Sequence, residues 1–284
     1  MKILTKLVIM SVLMNTSMAQ SVEKKIDNSK ISNYLSKIPS GIKVTMAVEN
    51  MEGKSYFKHR IDVKVPSASV IKVPILMSLM EKVQANELSL SEEHSLTNAE
   101  KAGWLGEGIF MSAAEGEKFT IRKIAEEMIR TSDNTATNIL IRKIGMETIN
   151  QNLTKWGTTK TRLNRVMMDI EAVKQGRENY VNALEINALL RMIYDRKVAN
   201  PILCDEMIGM LKNCEDTTTI PSQLPKDLAI AHKTGTLAYV RGDAAIVFTT
   251  QPFVISIFVE GFDKEATAEK IIGDLAKICW ESLK

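Results

Sequence analysis

Ser69 and Lys72 are the first residues whose types and spacing suggest chemistry. They are three residues apart at the start of an apolar run that extends to Met80. Because three residues are nearly one helical turn, the hydroxyl and the amine would project from the same face. A serine hydroxyl is a poor nucleophile until a base removes its proton, and a lysine whose pKa is lowered can do so. The pair therefore predicts a nucleophilic serine with a lysine base.

The Ser-x-x-Lys spacing occurs four times in this chain, so the motif alone is weak evidence. The other matches begin at Ser21, Ser40 and Ser55, in polar or strand-like surroundings. Only Ser69 opens a long apolar segment that would hold both side chains against a core. Its context makes it the preferred candidate.

Two further tripeptides follow Ser69 in order. Ser132-Asp133-Asn134 lies at a polar break between two segments with helical periodicity, and Lys233-Thr234-Gly235 follows a strand-like run at residues 228–231. Each tripeptide is common by chance. The ordered set of all three is not.

The hydrophobic patterns place strand-like segments near both ends of the chain, with helical segments between them. Alternation at 43–49, a turn at Gly53 and residues 55–59 predict a hairpin, and strands are expected at 228–231, 244–249 and 253–259. Helical periodicity is expected at 20–39, 119–130, 135–144, 146–156, 182–195, 202–211 and 264–283, and a long loop at 158–179. The expected fold is a sheet built from both ends, flanked by the terminal helices, with an inserted all-helical region. We expect one discontinuous domain at 20–65 and 220–284 and a helical domain at 66–219.

The first nineteen residues are typical of a secretory signal peptide. Lys2 and Lys6 precede a short apolar run, and Ser17-Met18-Ala19 fits a cleavage site. The run is too short to span a bilayer. We therefore expect export to the periplasm or medium, without a membrane anchor, as a monomer.

Composition argues against several kinds of partner. Without Lys2 and Lys6 the chain has 35 basic and 34 acidic residues, a balance that argues against nucleic acid or an anionic membrane surface. Three histidines and three cysteines show no metal-ligand spacing, and we expect neither a metal nor another cofactor. Cys204 and Cys214 could pair after export, or all three cysteines could be buried thiols.

The ordered motifs resemble those of class A β-lactamases and penicillin-binding proteins. The resemblance extends over about residues 44–283, and the segments 131–138, 161–165 and 232–236 also resemble the family. It implies an α+β fold, with an antiparallel sheet beside a helical domain, and a serine hydrolase that is acylated by a small acyl substrate. The leading expectation is hydrolysis of penicillins and cephalosporins. The alternatives are a peptidase, esterase or amidase of the same fold, and a protein that is acylated and stalls, as a sensor or sink.

The resemblance implies roles for the catalytic residues. Ser69 would attack the carbonyl, Lys72 would be the base, and Ser132 would pass a proton to the leaving nitrogen. The backbone N–H groups of Ser69 and Thr236 would stabilise the oxyanion. Asn134 would hold Lys72 and the substrate's side-chain amide.

Other residues would recognise the substrate. Lys233 and Thr234 would bind its carboxylate, and Gly235 would leave the strand edge clear for its backbone. Arg241 would be a second carboxylate partner or a solvated charge at a strand end. Trp104, in a glycine-containing loop, would line the site or belong to the core.

One departure from the resemblance concerns deacylation. Class A enzymes carry in this loop a glutamate that activates water, and the alignment of residues 161–165 places Met167 there. The loop reads Met167-Met168-Asp169-Ile170-Glu171-Ala172, as in a less studied branch of these hydrolases. A thioether cannot take a proton from water, so we expect Glu171 to be the base and Asp169 to stabilise the loop, with Asp169 as the other candidate.

Overall fold

The structure, a computed structural model, describes residues 26–103 and 108–284. The strands are β1 (Lys43–Asn50), β2 (Ser55–His59), β3 (Val65–Pro66), β4 (Glu93–Ser95), β5 (Lys118–Thr120), β6 (Tyr180–Val181), β7 (Ile230–Leu237), β8 (Val240–Val247) and β9 (Phe253–Glu260). The α-helices are α1 (Asn28–Leu35), α2 (Lys72–Gln84), α3 (Gly108–Ser112), α4 (Ile121–Arg130), α5 (Asn134–Ile144), α6 (Met146–Lys155), α7 (Ile170–Lys174), α8 (Ala183–Tyr194), α9 (Pro201–Lys212) and α10 (Glu265–Leu283).

The main sheet is antiparallel and has the strand order β2-β1-β9-β8-β7. Two of its strands come from the N-terminal part of the chain and three from the C-terminal part. The predicted hairpin at 43–59 is confirmed as β1 and β2. The α+β fold with a sheet built from both ends is confirmed as well.

Each face of the sheet packs against helices. On β9, Val254 and Phe258 lie in the core shared with the helical region, whereas Ile255 and Ile257 lie in the core shared with α1 and α10. This alternation follows from the period of two along a strand. Because both faces are covered, residues Phe253–Val259 of β9 are all buried.

The helical region is organised around α2. Every residue from Lys72 to Met80 is buried, as expected for a helix that other elements surround on all sides. The neighbouring helices begin at side-chain caps: Thr120 caps α4, Asp133 caps α5 and Asn200 caps α9. Each cap satisfies a backbone N–H of the first turn and so fixes where its helix starts.

The structure corrects some of the expected boundaries. The strand expected at 228–231 is β7, which starts at Ile230 and extends to Leu237, so the Lys233-Thr234-Gly235 motif lies within a strand. The helix expected at 20–39 is α1, Asn28–Leu35 in the described residues. The expected loop at 158–179 contains the short helix α7. The ion pair between Arg165 and Glu178, with Nη2 and Oε1 2.7 Å apart, joins the two sides of this loop.

Candidate active site

Ser69 lies in a short 3₁₀ helix, Ala68–Ile71, that continues directly into α2. The backbone N–H of Lys72 donates to the carbonyl oxygen of Ser69. Since a 3₁₀ helix has three residues per turn, side chains three apart lie one above the other. The predicted common face of Ser69 and Lys72 therefore arises from a 3₁₀ turn rather than an α-turn. Ser69 itself is partly exposed, at the N-terminal end of the combined helix.

Lys72 is fully buried and connects α2 to the start of α5. Its Nζ donates to the carbonyl oxygen of Ser132 at 2.5 Å, to the Ser132 hydroxyl at 3.0 Å and to Asn134 Oδ1 at 3.1 Å. The carbonyl and amide oxygens can only accept, whereas the hydroxyl can accept or donate. A neutral Lys72 could therefore accept the Ser132 proton without any movement of the heavy atoms.

The backbone around Ser132 explains this geometry. Ser132 has a positive φ of 61°, which is uncommon for a residue other than glycine and is found mainly at functional sites. The next residue, Asp133, caps α5 by accepting a hydrogen bond from the backbone N–H of Ala136 at 2.8 Å. Burial raises the pKa of the Asp133 carboxyl, although hydrogen bonds such as that from Ala136 oppose this effect. The cap fixes Ser132 and Asn134 on either side of the helix start.

Lys233 and Gly235 are two residues apart on β7, an edge strand of the main sheet. Lys233 is fully buried, and burial lowers the pKa of its amine. A Cβ built on Gly235 would lie 2.9 Å from the backbone nitrogen of Ser69 and 3.0 Å from the carbonyl oxygen of Ser67. Glycine is thus required because β7 packs directly on the Ser69 turn, whereas the expected reason was clearance for the substrate backbone.

These elements enclose a cavity of about 490 Å³, which we call the substrate cavity. Most of the predicted residues meet there. It is lined by Ser69, Ala102, Gly108, Arg130, Thr131, Ser132, Asp133, Asn134, Cys214, Glu215, Asp216, Lys233, Thr234, Gly235 and Thr236. The cavity thus combines a serine next to a buried lysine with a second lysine and several hydroxyl groups.

Arg241 is placed differently from either expectation. It is 1% exposed, so it is not a solvated strand-end charge, and it is absent from the lining of the substrate cavity. Its guanidinium lies 2.7 Å from Asp216 and 3.2 Å from Glu269, and its Nη1 donates to the Thr236 hydroxyl at 2.7 Å. Arg241 therefore reaches the cavity only through Asp216 and Thr236, which line it.

A second cavity of about 230 Å³, which we call the loop cavity, lies on the other side of Ser69. It is lined by Ala68, Ser69, Asn134, Arg165, Met167, Met168, Asp169, Ile170, Val173, Thr236 and Leu237. The side-chain amide of Asn138 bonds both the backbone N–H and the backbone carbonyl of Met167. Its Oδ1 accepts from the Met167 N–H at 2.8 Å, and its Nδ2 donates to the Met167 carbonyl at 3.0 Å. The position that lacks the expected glutamate is thus firmly held beside Ser69.

The two loop carboxylates both lie at the start of α7, in different surroundings. Asp169 caps this helix, accepting from the backbone N–H of Ala172 at 2.9 Å, and it lines the loop cavity. Glu171 lies in the first turn, with its side chain 69% exposed, 3.8 Å from Lys174 and accepting from Gln175. The structure therefore does not bring Glu171 to Ser69, because its side chain lies on the exposed face of α7 and is absent from the cavity lining. Asp169 carries the only carboxylate among the described residues that line the loop cavity.

Three residues of this region were not predicted from the sequence as parts of the site. Asn138 was part of the quoted segment 131–138, but its contact with Met167 depends on tertiary packing. Asp216 and Cys214 line the substrate cavity from the segment after α9, which carries no motif. All three cysteines are free and buried, so Cys204 and Cys214 are not paired. Trp104 lies outside the described residues.

Known proteins resemble this chain over most of its length. The chain is 28% identical over 275 residues to β-lactamase VEB-1 of Pseudomonas aeruginosa, covering 89% of this chain and 91% of that protein. A β-lactamase from Sphaerobacter thermophilus superposes with a TM-score of 0.83 at 24% identity, over 90% of this chain and 98% of the other. A mutant of PBP-A, described as an acyl-enzyme complex with penicillin G, superposes with a TM-score of 0.81 at 25% identity, over 90% and 95% of the two chains.

A buried lysine beside a helix-start serine, on this α+β scaffold, is the arrangement of a serine β-lactamase-like hydrolase. Residues 23–283 match the β-lactamase enzyme family, and the chain belongs to that family.

Proposed function

We propose that this protein opens the β-lactam ring of penicillins and cephalosporins through an acyl-enzyme on Ser69. The observation that carries the proposal is the contact of Lys72 with Ser132 and Asn134 beside Ser69 in the substrate cavity. In the first step the Ser69 oxygen forms a bond to the β-lactam carbonyl carbon, and Lys72 takes the hydroxyl proton. The ring C–N bond then breaks as Ser132 donates a proton to the nitrogen.

The placement of Ser69 supports its proposed oxyanion site. The first N–H groups of a helix have no partners within that helix, so they are available to a ligand. We propose that the N–H groups of Ser69 and Thr236 bind the carbonyl oxygen as negative charge develops on it. Gly235 supports this arrangement because it allows β7 to pack directly on the Ser69 turn.

The position of Lys233 in the wall of the substrate cavity supports recognition of an anionic substrate. We propose that Lys233 and the Thr234 hydroxyl bind the substrate carboxylate. Arg241 is neutralised by Asp216 and Glu269 and would contribute only through its hydrogen bond to Thr236. The buried lysine is therefore the main anchor in this proposal.

A second candidate function follows from the loop cavity. Met167 lies where a general base is expected, and Asp169 is engaged as a helix cap. Water activation would then be weak, and the protein would be acylated and release the product slowly. Such a chain would act as a sensor or sink for β-lactams.

The time course of hydrolysis of a chromogenic cephalosporin separates the two candidates. A hydrolase gives sustained turnover, whereas a stalling protein gives a burst of about one product per active site. The matched control is Ser69→Ala, which should give neither. No product from the wild-type protein, together with no acylation by penicillin, would overturn both candidates in favour of another acyl substrate.

We also propose that the protein is exported and works as a monomer. Residues 1–19 carry the signal-like pattern and lie outside the described residues. None of the helices in the described ranges is long and apolar enough to cross a membrane. Expression of the full chain in a bacterial host should yield a periplasmic or secreted protein that begins near Gln20, and light scattering should give the mass of one chain. A product that keeps its first nineteen residues would contradict the export proposal.

A further inference from the structure

Cys214 lies between the substrate cavity and a buried ion pair that the proposed reaction does not use. Cys214 is 6% exposed and lines the substrate cavity with Ser132 and Lys233. It lies in the turn after α9, where its backbone N–H donates to the carbonyl oxygen of Leu211. His232, the residue before Lys233 on β7, acts on this thiol through its positive charge. A nucleophilic sulfur is thus held inside a cavity that is large enough for a substrate.

His232 is in turn held by Asp243. The Nδ1 atom of His232 lies 3.2 Å from both carboxylate oxygens of Asp243, and this carboxylate also accepts from the Thr219 hydroxyl at 2.7 Å. Burial lowers the pKa of His232, but the charge and hydrogen bond of Asp243 outweigh it and raise the pKa to about 10. His232 is therefore a cation at neutral pH, and Cys214, His232 and Asp243 form a nucleophile–imidazolium–carboxylate cluster.

The charges around Cys214 favour its thiolate. Burial raises the pKa of the thiol, but the positive charges of Lys233 and His232 outweigh this effect and lower the pKa to about 7. The other two cysteines lack such surroundings. Burial alone raises the pKa of Cys279, and the Cys204 thiol donates to the carbonyl oxygen of Ala199. Since the thiolate is the reactive form, only Cys214 combines a reactive state with an opening to a cavity.

We propose that Cys214 is a covalent modification site for small disulfides that enter through the substrate cavity. The Cys214 sulfur attacks one sulfur of the disulfide, an S–S bond forms to the protein, the original S–S bond breaks, and one thiolate leaves. Two cations, Arg130 and Lys233, line this cavity together with three carboxylates, so the cavity admits the reagent by size rather than by charge. The attached group would occupy the cavity beside Lys233 and Ser132.

Modification is therefore expected to switch off the hydrolase reversibly. The bound group would exclude the substrate carboxylate from Lys233, and reduction of the mixed disulfide would restore access. This consequence rests on the proposed function, whereas the site of modification does not. The two are tested by separate readouts.

The test uses the full mature protein and 5,5′-dithiobis(2-nitrobenzoate), a dianionic disulfide that releases a coloured thiolate. We expect one equivalent to react at pH 7.5, with the mass increment on the peptide that contains Cys214. The reaction should be at least roughly tenfold faster than at the other two thiols, because both of those are fully buried. Cephalosporin hydrolysis, or acylation where turnover is slow, should fall in step with labelling and recover with dithiothreitol.

Cys214→Ser and Cys204→Ser are matched controls. The first should abolish the fast phase, and the second should retain it. Labelling of Cys204 or Cys279 first, or no fast phase in the folded wild-type protein, would overturn the proposal. Because peptide mapping of the wild type identifies the site directly, the test does not depend on the folding of Cys214→Ser. Clean labelling of Cys214 in a protein that penicillin does not acylate would refute the proposed function and leave the modification site intact.

Discussion

Substitution of Met167 by glutamate should convert slow release of the acyl group into fast release. The Met167 side chain lines the loop cavity beside Ser69, and Asn138 holds its backbone through hydrogen bonds of 2.8 and 3.0 Å. A glutamate side chain is similar in length to methionine, so its carboxylate would enter the same space. There it could take a proton from a water molecule that attacks the acyl-enzyme.

The size of the effect follows from what a positioned base contributes. General-base assistance accelerates a reaction by roughly 10²–10⁴-fold, which corresponds to about 2.7–5.5 kcal/mol of activation free energy at 1.36 kcal/mol per factor of ten. Met167 is 8% exposed, so the new carboxylate is partly desolvated, and its basicity should rise as its pKa rises. We therefore expect deacylation at least ~10²-fold faster than in the wild type, with acylation within a few-fold.

Intact-protein mass spectrometry after mixing with a penicillin measures both steps. The matched control is Met167→Gln, which has the same shape and polarity but no basic oxygen. If Met167→Glu and Met167→Gln release the acyl group at the same rate, the cavity does not place a base against the ester. If neither differs from the wild type, the wild-type protein already has an efficient base elsewhere.

Three further predictions concern single contacts. Lys233→Ala should lower kcat/KM for a carboxylate-bearing β-lactam by at least tenfold, about 1.4 kcal/mol, and should affect an ester without a carboxylate much less; equal losses would assign Lys233 to the chemistry or to folding. Asp169→Asn should slow release of the penicilloyl group more than Glu171→Gln does, since only Asp169 lines the loop cavity, and the opposite order in a mass-spectrometric time course would return the role of base to Glu171. Glu185→Gln should lower the Tm at pH 7 by roughly 2–4 °C, for about 1 kcal/mol. Burial raises the pKa of Glu185, but hydrogen bonds from the backbone N–H groups of residues 159–161 outweigh burial and lower it, so they stabilise the ionised carboxylate. This stabilisation is present above the pKa of the unfolded state, near 4.3, and is lost as the pH falls through the lower pKa of the folded state. The difference in Tm between wild type and variant should therefore shrink toward pH 3. A difference that stays constant with pH would show that the stabilisation does not arise from the ionised carboxylate.

The sequence predicted the sheet and most helices because hydrophobic periodicity and side-chain caps determine them locally. Thr120 and Asp133, for example, lie where α4 and α5 begin. The C-terminal end of β7 was missed for a physical reason. Lys233 and Thr234 are polar yet buried, so the apolar alternation that marks a strand ends before the strand does. The polar residues of the site therefore prevented a prediction based on apolar alternation from finding this part of the strand.

The incorrect predictions at the site also concern features that hydrophobic periodicity does not report. The 3₁₀ turn at Ser69 and the positive φ of Ser132 are local departures from regular helix that no periodicity records. Glu171 was placed by position along the loop, but the cap at Asp169 starts a helix that turns its carboxylate outward. Arg241 was expected to be either a second carboxylate partner or a solvated strand-end charge, because its actual partners Asp216 and Glu269 are distant in sequence. The domain boundaries at 65/66 and 219/220 stay a prediction.

The environment of Cys214 could not be predicted from sequence either. It depends on the register of β7 and β8, which pairs Thr234 with Asp243 and so brings that carboxylate beside His232. It also depends on the turn after α9, which places the thiol at the cavity wall. Neither the strand register nor the position of this turn can be deduced from the spacing of residues in the sequence.

The central claim is that Ser69 is the nucleophile. The most direct test is to incubate the protein briefly with penicillin G, digest it and locate the added mass by tandem mass spectrometry. We expect one penicilloyl group on the peptide that contains Ser69, and none in the Ser69→Ala variant. Attachment to Ser132, to a serine of another Ser-x-x-Lys match such as Ser40 or Ser55, or to Cys214 would contradict it.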